Sequence, residues 1–309
     1  MRYNHLRAVS ALAGLSILGG LALTGCSSAE STASAEEPAA AASSRDDYHA
    51  TVRERTNGLD GHTVYHPADL SAFPDSSVPV LAWANGGCRT SNIAVTSFLS
   101  GVAAQGYIVI ANGALDELPV DQLPDDTLAR PDRLTDAIDW AVDSDEAAEQ
   151  LGHKADSDKI GVMGTSCGGV EALLAAADPR VKSVAGLNTG FFPNKRFGYE
   201  RNALNDITVP TLLFNGGPAD QATKNSVENF DLLTVPTVLV SQETAGHSGL
   251  TYGLSGTDTS AQMMIAGYGM VADWFDYTLH NSEPTKKQFV GTDCGLCTEP
   301  GWAVQTKNL

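Results

Sequence analysis

Positive charge is scarce in these 309 residues, where 19 lysines and arginines face 37 aspartates and glutamates. No basic cluster interrupts the excess. Nucleic-acid affinity comes from Lys and Arg contacts to phosphate, so no nucleic-acid partner is expected. Electrostatic docking on anionic lipid is disfavoured for the same reason. Internal repeats and a second linker are also missing. Beyond the cysteines themselves, no Cys or His falls at zinc-ligand spacing, so no metal site is expected.

What is present begins at the N-terminus. Arg2 and Arg7 precede the apolar run "AVSALAGLSILGGLALTGC", Ala8 to Cys26. That run has the length of a signal-peptide core, and no stop-transfer pattern follows it. Its end, Leu23-Thr24-Gly25-Cys26, resembles a bacterial lipobox, which implies cleavage before Cys26 and lipid on its sulfur. The alternative is an ordinary secreted protein cut elsewhere. Removing residues 1–25 takes away two basic residues and no acid, so the acidic excess grows from 18 to 20. Membrane attachment would then rest on the lipid anchor alone, at the extracellular face of the cell membrane. Residues 26–47 are small and polar without apolar periodicity and read as a flexible tether. About 260 residues remain, 48–309, within reach of one α/β domain with a single core. Its last part, from about 285, is an extension carrying Cys294 and Cys297.

Strand-like and helix-like segments alternate along this domain. "HATVRE" and "HTVYHP" read as early strands around the Asn57-Gly58 turn signal. "VPVLAWANGG", "GYIVIANG", "KIGVMG", "VKSVAGLN", "VPTLLFNG" and "VPTVLVS" are apolar runs suited to buried strands. Helical spacing places helices near 130–142, after Gly168, and over about 260–279. The fold class is therefore α/β, with a mostly parallel central sheet and helices on both faces.

The stretch "KIGVMGTSCGGVEALLAA", Lys159 to Ala176, sets a serine beside a cysteine in a strand-turn-helix. A nucleophile on such a turn needs small residues two before and two after it. Centred on Ser166 these are Gly164 and Gly168; centred on Cys167 they are Thr165 and Gly169. The Ser166 register matches G-x-S-x-G fully, whereas the other puts a β-branched residue at a crowded position. Ser166 is the better nucleophile. The Cys167 backbone N–H then lies in the first helical turn and forms half of an oxyanion hole. The glycine loop "WANGGCRT" supplies the other half, through Gly87 first and Gly86 second.

A serine hydroxyl needs a base, and the base an acid to orient it. Of seven histidines only His247, in "ETAGHSGLTYG", follows both the serine and a late strand. Asp220, in "NGGPAD", lies just past a strand end, ahead of the competitors Asp206, Asp231 and Glu243. The order Ser166, Asp220, His247 is that of the α/β-hydrolases.

These residues, with "NGG" at 85–87 and "DPRVKSVAGLNTG" at 178–190, resemble the dienelactone-hydrolase and bacterial polyester-hydrolase (cutinase-like) neighbourhood of the α/β-hydrolases over about residues 50–280. The resemblance implies hydrolysis of small-molecule or polymeric carboxylic esters without metal or cofactor. It departs from the dienelactone enzymes, which carry cysteine where Ser166 stands. Few residues separate Asn188 from Asn202, so a lid is small or absent. Trp83, Phe191 and Phe192 either line an acyl or aromatic pocket or belong to the core.

If both oxyanion loops meet, Cys88 and Cys167 are neighbours, and an even cysteine count in an exported chain favours a disulfide between them. Cys294 and Cys297 would then form a local staple, since Pro300 and Gly301 follow where a thioredoxin-type pair starts a helix. Two other readings stand beside the esterase: a binding lipoprotein that keeps the fold, and an acyltransferase.

Overall fold

The computed structural model describes residues 48–309 except 117, 120–121, 123–129 and 254–257. The expected signal segment, tether and Cys26 lie outside the described residues.

In chain order the elements are β1 (Thr51–Arg55), β2 (His62–Pro67), β3 (Val78–Ala84), α1 (Thr96–Ala103), β4 (Ile108–Asn112), α2 (Asp132–Asp143), α3 (Asp145–Gln150), β5 (Ala155–Thr165), α4 (Cys167–Ala175), β6 (Val181–Leu187), β7 (Thr211–Asn215), α5 (Thr223–Leu232), β8 (Thr237–Gln242), α6 (Gly249–Tyr252), α7 (Asp258–His280), α8 (Glu283–Lys286), α9 (Gly295–Thr298) and β9 (Trp302–Lys307). The strands form one sheet in the order β1-β2-β4-β3-β5-β6-β7-β8-β9. The six from β4 to β8 run parallel, while β2 joins β4, and β9 joins β8, antiparallel. This is the mostly parallel α/β-hydrolase sheet.

Its central strands are apolar throughout because both faces are covered. On one face Leu134, Ile138, Val170, Leu173 and Phe230, from α2, α4 and α5, pack on Val80, Val162 and Val184. On the other, Phe98, Leu99, Val271, Trp274 and Phe275, from α1 and α7, pack on Leu81, Met163 and Ala185.

The boundaries differ from expectation in three places. Asn57 and Gly58 belong to a wider β1–β2 connection, with Gly58 at φ 82° and Arg55 paired to Thr63. His49 precedes the first strand rather than lying on it. The long C-terminal helix is not the last element: α8, α9 and β9 follow, and β9 closes the far edge of the sheet. The connection between β6 and β7 carries only short 3-10 turns, Arg196–Gly198 and Arg201–Asp206.

Candidate active site

The parallel strands point their C-terminal ends to one edge, and loops gather there from β3, β5, β6, β7 and β8. Ser166 lies between β5 and α4 at φ 55°, ψ −121°, a backbone conformation that a non-glycine residue holds only under constraint. The constraint is local. A methyl on Gly164 would strike the Gly168 carbonyl, and one on Gly168 would strike the Ala84 carbonyl. The Ser166 N–H donates to Leu187 O at 2.8 Å, and Thr189 Oγ1 donates to Ser166 O at 2.5 Å.

His247 enters from the loop after β8. Its Nε2 is 2.9 Å from Ser166 Oγ, and its Nδ1 is 2.6 Å from Asp220 Oδ1. Asp220 follows β7, and its side chain is fully buried. Burial alone would raise this carboxyl. Hydrogen bonds from His247, the Gly216 and Ala222 N–H groups and Asn188 outweigh it and hold the pKa below the ordinary carboxylate range. The competitors Asp206, Asp231 and Glu243 are exposed.

The glycine loop after β3 is pinned by Asn85. Its amide donates to Asn112 O at 2.7 Å and Arg89 O at 3.1 Å, while its oxygen accepts from Trp83 Nε1 at 2.7 Å. Gly86–Cys88 forms a 3-10 turn in which Gly87 takes φ 67°, a conformation glycine adopts without strain. Cys88 is disulfide-bonded to Cys167, with Cα atoms 5.1 Å apart, so the loop is tied to the residue after Ser166. The Cys167 sulfur is therefore consumed in the bridge. The Tyr252 hydroxyl packs against Gly86, where it would meet any side chain. Cys294 pairs with Cys297 in a local bridge.

A small, partly open cleft lies beside Ser166 and His247, bordered by Thr189, Phe192, Phe197 and Gln221. Phe192 and Phe197 meet edge to face, 5.8 Å between centroids. Of the three aromatic candidates only Phe192 borders the cleft. Trp83 is fully buried between β3 and α1, and Phe191 is buried with Phe230 and Leu173. Both correct the pocket reading: Trp83 faces the core by strand alternation, and the Phe191 N–H and C=O are held by the Asn229 side chain at 2.7 and 3.1 Å.

Sequence reasoning missed Asn188, Gln221, Phe197 and Tyr252. Asn188 carried one usable signal, a polar residue directly ending a buried strand. A family model described as PETase, PET hydrolase-like, matches residues 28–229, a span that holds Ser166 and Asp220 and ends before His247. No curated protein matches the chain.

Proposed function

The chain belongs to the PET hydrolase-like family, and on that premise we propose that it is a serine esterase, cleaving carboxylic esters through an acyl-enzyme. Ser166 Oγ attacks the ester carbonyl while His247 Nε2 takes its proton, then returns it to the departing alcohol. Water, deprotonated by the same nitrogen, releases the acid and restores Ser166. Asp220 holds the imidazole through Nδ1 and balances its transient positive charge. The N–H groups of Cys167 and Gly87 face the developing oxyanion. One observation carries this reading: the unbroken line of hydrogen bonds from Ser166 Oγ to His247, 2.9 Å, and from His247 to Asp220, 2.6 Å. The bridge that occupies the Cys167 sulfur supports serine rather than cysteine as the nucleophile. The cleft and its paired phenylalanines suit a short acyl chain or an aromatic acid.

The protein is further proposed to be exported and held at the outer face of the membrane by lipid on Cys26. The N-terminal sequence supports this, and two disulfides suit an oxidising compartment. Radiolabelled palmitate should enter the wild type and not Cys26→Ser.

The function is tested with p-nitrophenyl acetate, butyrate and octanoate. Ser166→Ala and His247→Ala should each lose roughly 10⁴-fold or more in kcat. Hydrolysis that persists in Ser166→Ala at the wild-type rate would overturn the assignment.

A further inference from the structure

Tyr252 packs against Gly86 in the glycine loop after β3 and has no role assigned so far. In the parallel pair β3–β5, Ala84 lies opposite Gly164. The Gly86 turn and Ser166 thus each follow the C-terminal end of one of two adjacent parallel strands. The Tyr252 hydroxyl lies against Gly86. A methyl on Gly86 would run into that hydroxyl and would lie 3.6 Å from the Thr165 methyl, on the residue just before the serine. The Cys88–Cys167 bridge draws the same loop onto the residue just after it. Tyr252 itself arrives on α6, which starts two residues beyond His247. Neither Tyr252 nor Gly86 borders the cleft of Phe192, Phe197 and Gln221. The phenol thus belongs to the oxyanion loop and not to that cleft.

We propose that Tyr252 is a further catalytic residue, whose hydroxyl donates a hydrogen bond to the oxyanion of the tetrahedral intermediate, an inference that rests on the esterase reading above. A hydroxyl has one proton and two lone pairs. The Tyr252 oxygen lies against Gly86, the residue next to Gly87 of the proposed oxyanion hole. As Ser166 attacks, the carbonyl oxygen gains negative charge, and the phenol O–H donates to it beside the Cys167 N–H. No proton is transferred, and the phenol stays neutral through acylation and deacylation. Burial pushes its pKa up, with the Gly86 backbone offsetting only part of the rise, so the donor keeps its proton at working pH. Glycine at 86 follows from the same arrangement, since any side chain there would displace the hydroxyl.

The test compares Tyr252→Phe with wild type in the full protein, using p-nitrophenyl butyrate. Loss of one oxyanion donor should lower kcat by roughly 100-fold, with KM within about two-fold. Affinity for an alkyl boronic acid, which forms a tetrahedral adduct with the serine, should fall in parallel, and the melting temperature should stay close to wild type. Gly86→Ala, which keeps the tyrosine but pushes its hydroxyl away, should lose kcat in the same direction. Unchanged kcat in Tyr252→Phe would reduce Tyr252 to a wall of the loop. A rise in kcat/KM would make its hydroxyl a plug that substrate must displace. Either result overturns the proposal. Ser166→Ala, run alongside, separates the two levels: an inactive Ser166→Ala with a fully active Tyr252→Phe removes only Tyr252, whereas an active Ser166→Ala removes the esterase reading.

Discussion

The side-chain amide of Asn188 donates to Asp220 Oδ2 at 2.8 Å and also to the Gly246 carbonyl at 3.0 Å. One residue at the end of β6 thereby holds the proposed acid and the backbone beside the proposed base. A hydrogen bond to a buried carboxylate contributes about 1.5–3 kcal/mol. Asn188→Ala should therefore lower kcat about 10-fold while leaving KM near wild type. The Asp220 pKa, now held low, should rise toward its ordinary value. A depressed carboxyl contributes stability that is present above its unfolded pKa and is lost as pH falls. The variant should accordingly unfold at a higher pH on acid titration. Equal acid midpoints for variant and wild type would show that Asn188 does not set the Asp220 charge.

The two disulfides differ in what they close. Cys88–Cys167 spans 79 residues and Cys294–Cys297 spans three. By the chain-entropy estimate the first stabilises by about 4 kcal/mol and the second by well under half of that. Cys88→Ser with Cys167→Ser should thus lower the melting temperature by many degrees, and Cys294→Ser with Cys297→Ser by few. The first pair should also lower kcat, because the glycine loop is no longer fastened to the elbow. Calorimetry and ester kinetics on the two double variants check both parts. Equal melting temperatures would contradict the loop-length argument.

What could be read without the structure was whatever depends on neighbours in the chain. Gly164, Ser166 and Gly168 announce a tight strand-to-helix turn because the crowding is between residues two apart. Asp220 and His247 were picked out by lying just past strand ends, and the parallel sheet follows from its apolar strands. Tyr252 was not legible and Asn188 barely so, since each matters through a partner far away in sequence. Trp83 and Phe191 misled for a related reason: the side of a strand or loop that faces the core depends on packing that composition does not encode. The strand β9 escaped notice because an edge strand is only half buried, and "WAVQTK" alternates weakly between polar and apolar residues.

Glu171 lies on α4, five residues after Ser166, fully buried. Neither carboxyl oxygen has a hydrogen-bond partner among the described residues. Burial, with the charge of Asp132 adding to it, raises its pKa from 4.5 to about 8. The raised value means that its favourable contribution is complete below its unfolded pKa. It falls away as pH rises through the folded one, because the unfolded chain releases the proton first. Wild-type melting temperature should therefore drop from about pH 5 to about pH 9, and Glu171→Gln should flatten that drop. Near pH 5 the two proteins should melt together. Parallel curves across the whole range would show that Glu171 is ionised in the folded protein.

The C-terminal extension braces the strand that leads to His247. Trp302 pairs with Gln242 at the end of β8, and Gly301 O accepts from the Glu243 N–H at 2.9 Å. Lys307 Nζ reaches the carbonyls of Phe230 and Asp231 at 2.9 Å each, where cations are favoured at the end of α5. The Trp302 ring meets Phe214 of β7, with centroids 6.2 Å apart. Without β9, the apolar strand β8 becomes an open edge, and its Val238 and Val240 lie next to unpaired backbone groups. A chain ending after Asn281 should be aggregation-prone and melt well below wild type, while Trp302→Ala alone should lose several degrees. The activity of Trp302→Ala should fall through kcat, since the geometry at His247 loosens without a change in the cleft. Size-exclusion chromatography, thermal melts and ester kinetics on the two variants measure these effects. A truncated chain that is monomeric, stable and fully active would mean that β8 sets the His247 loop unaided.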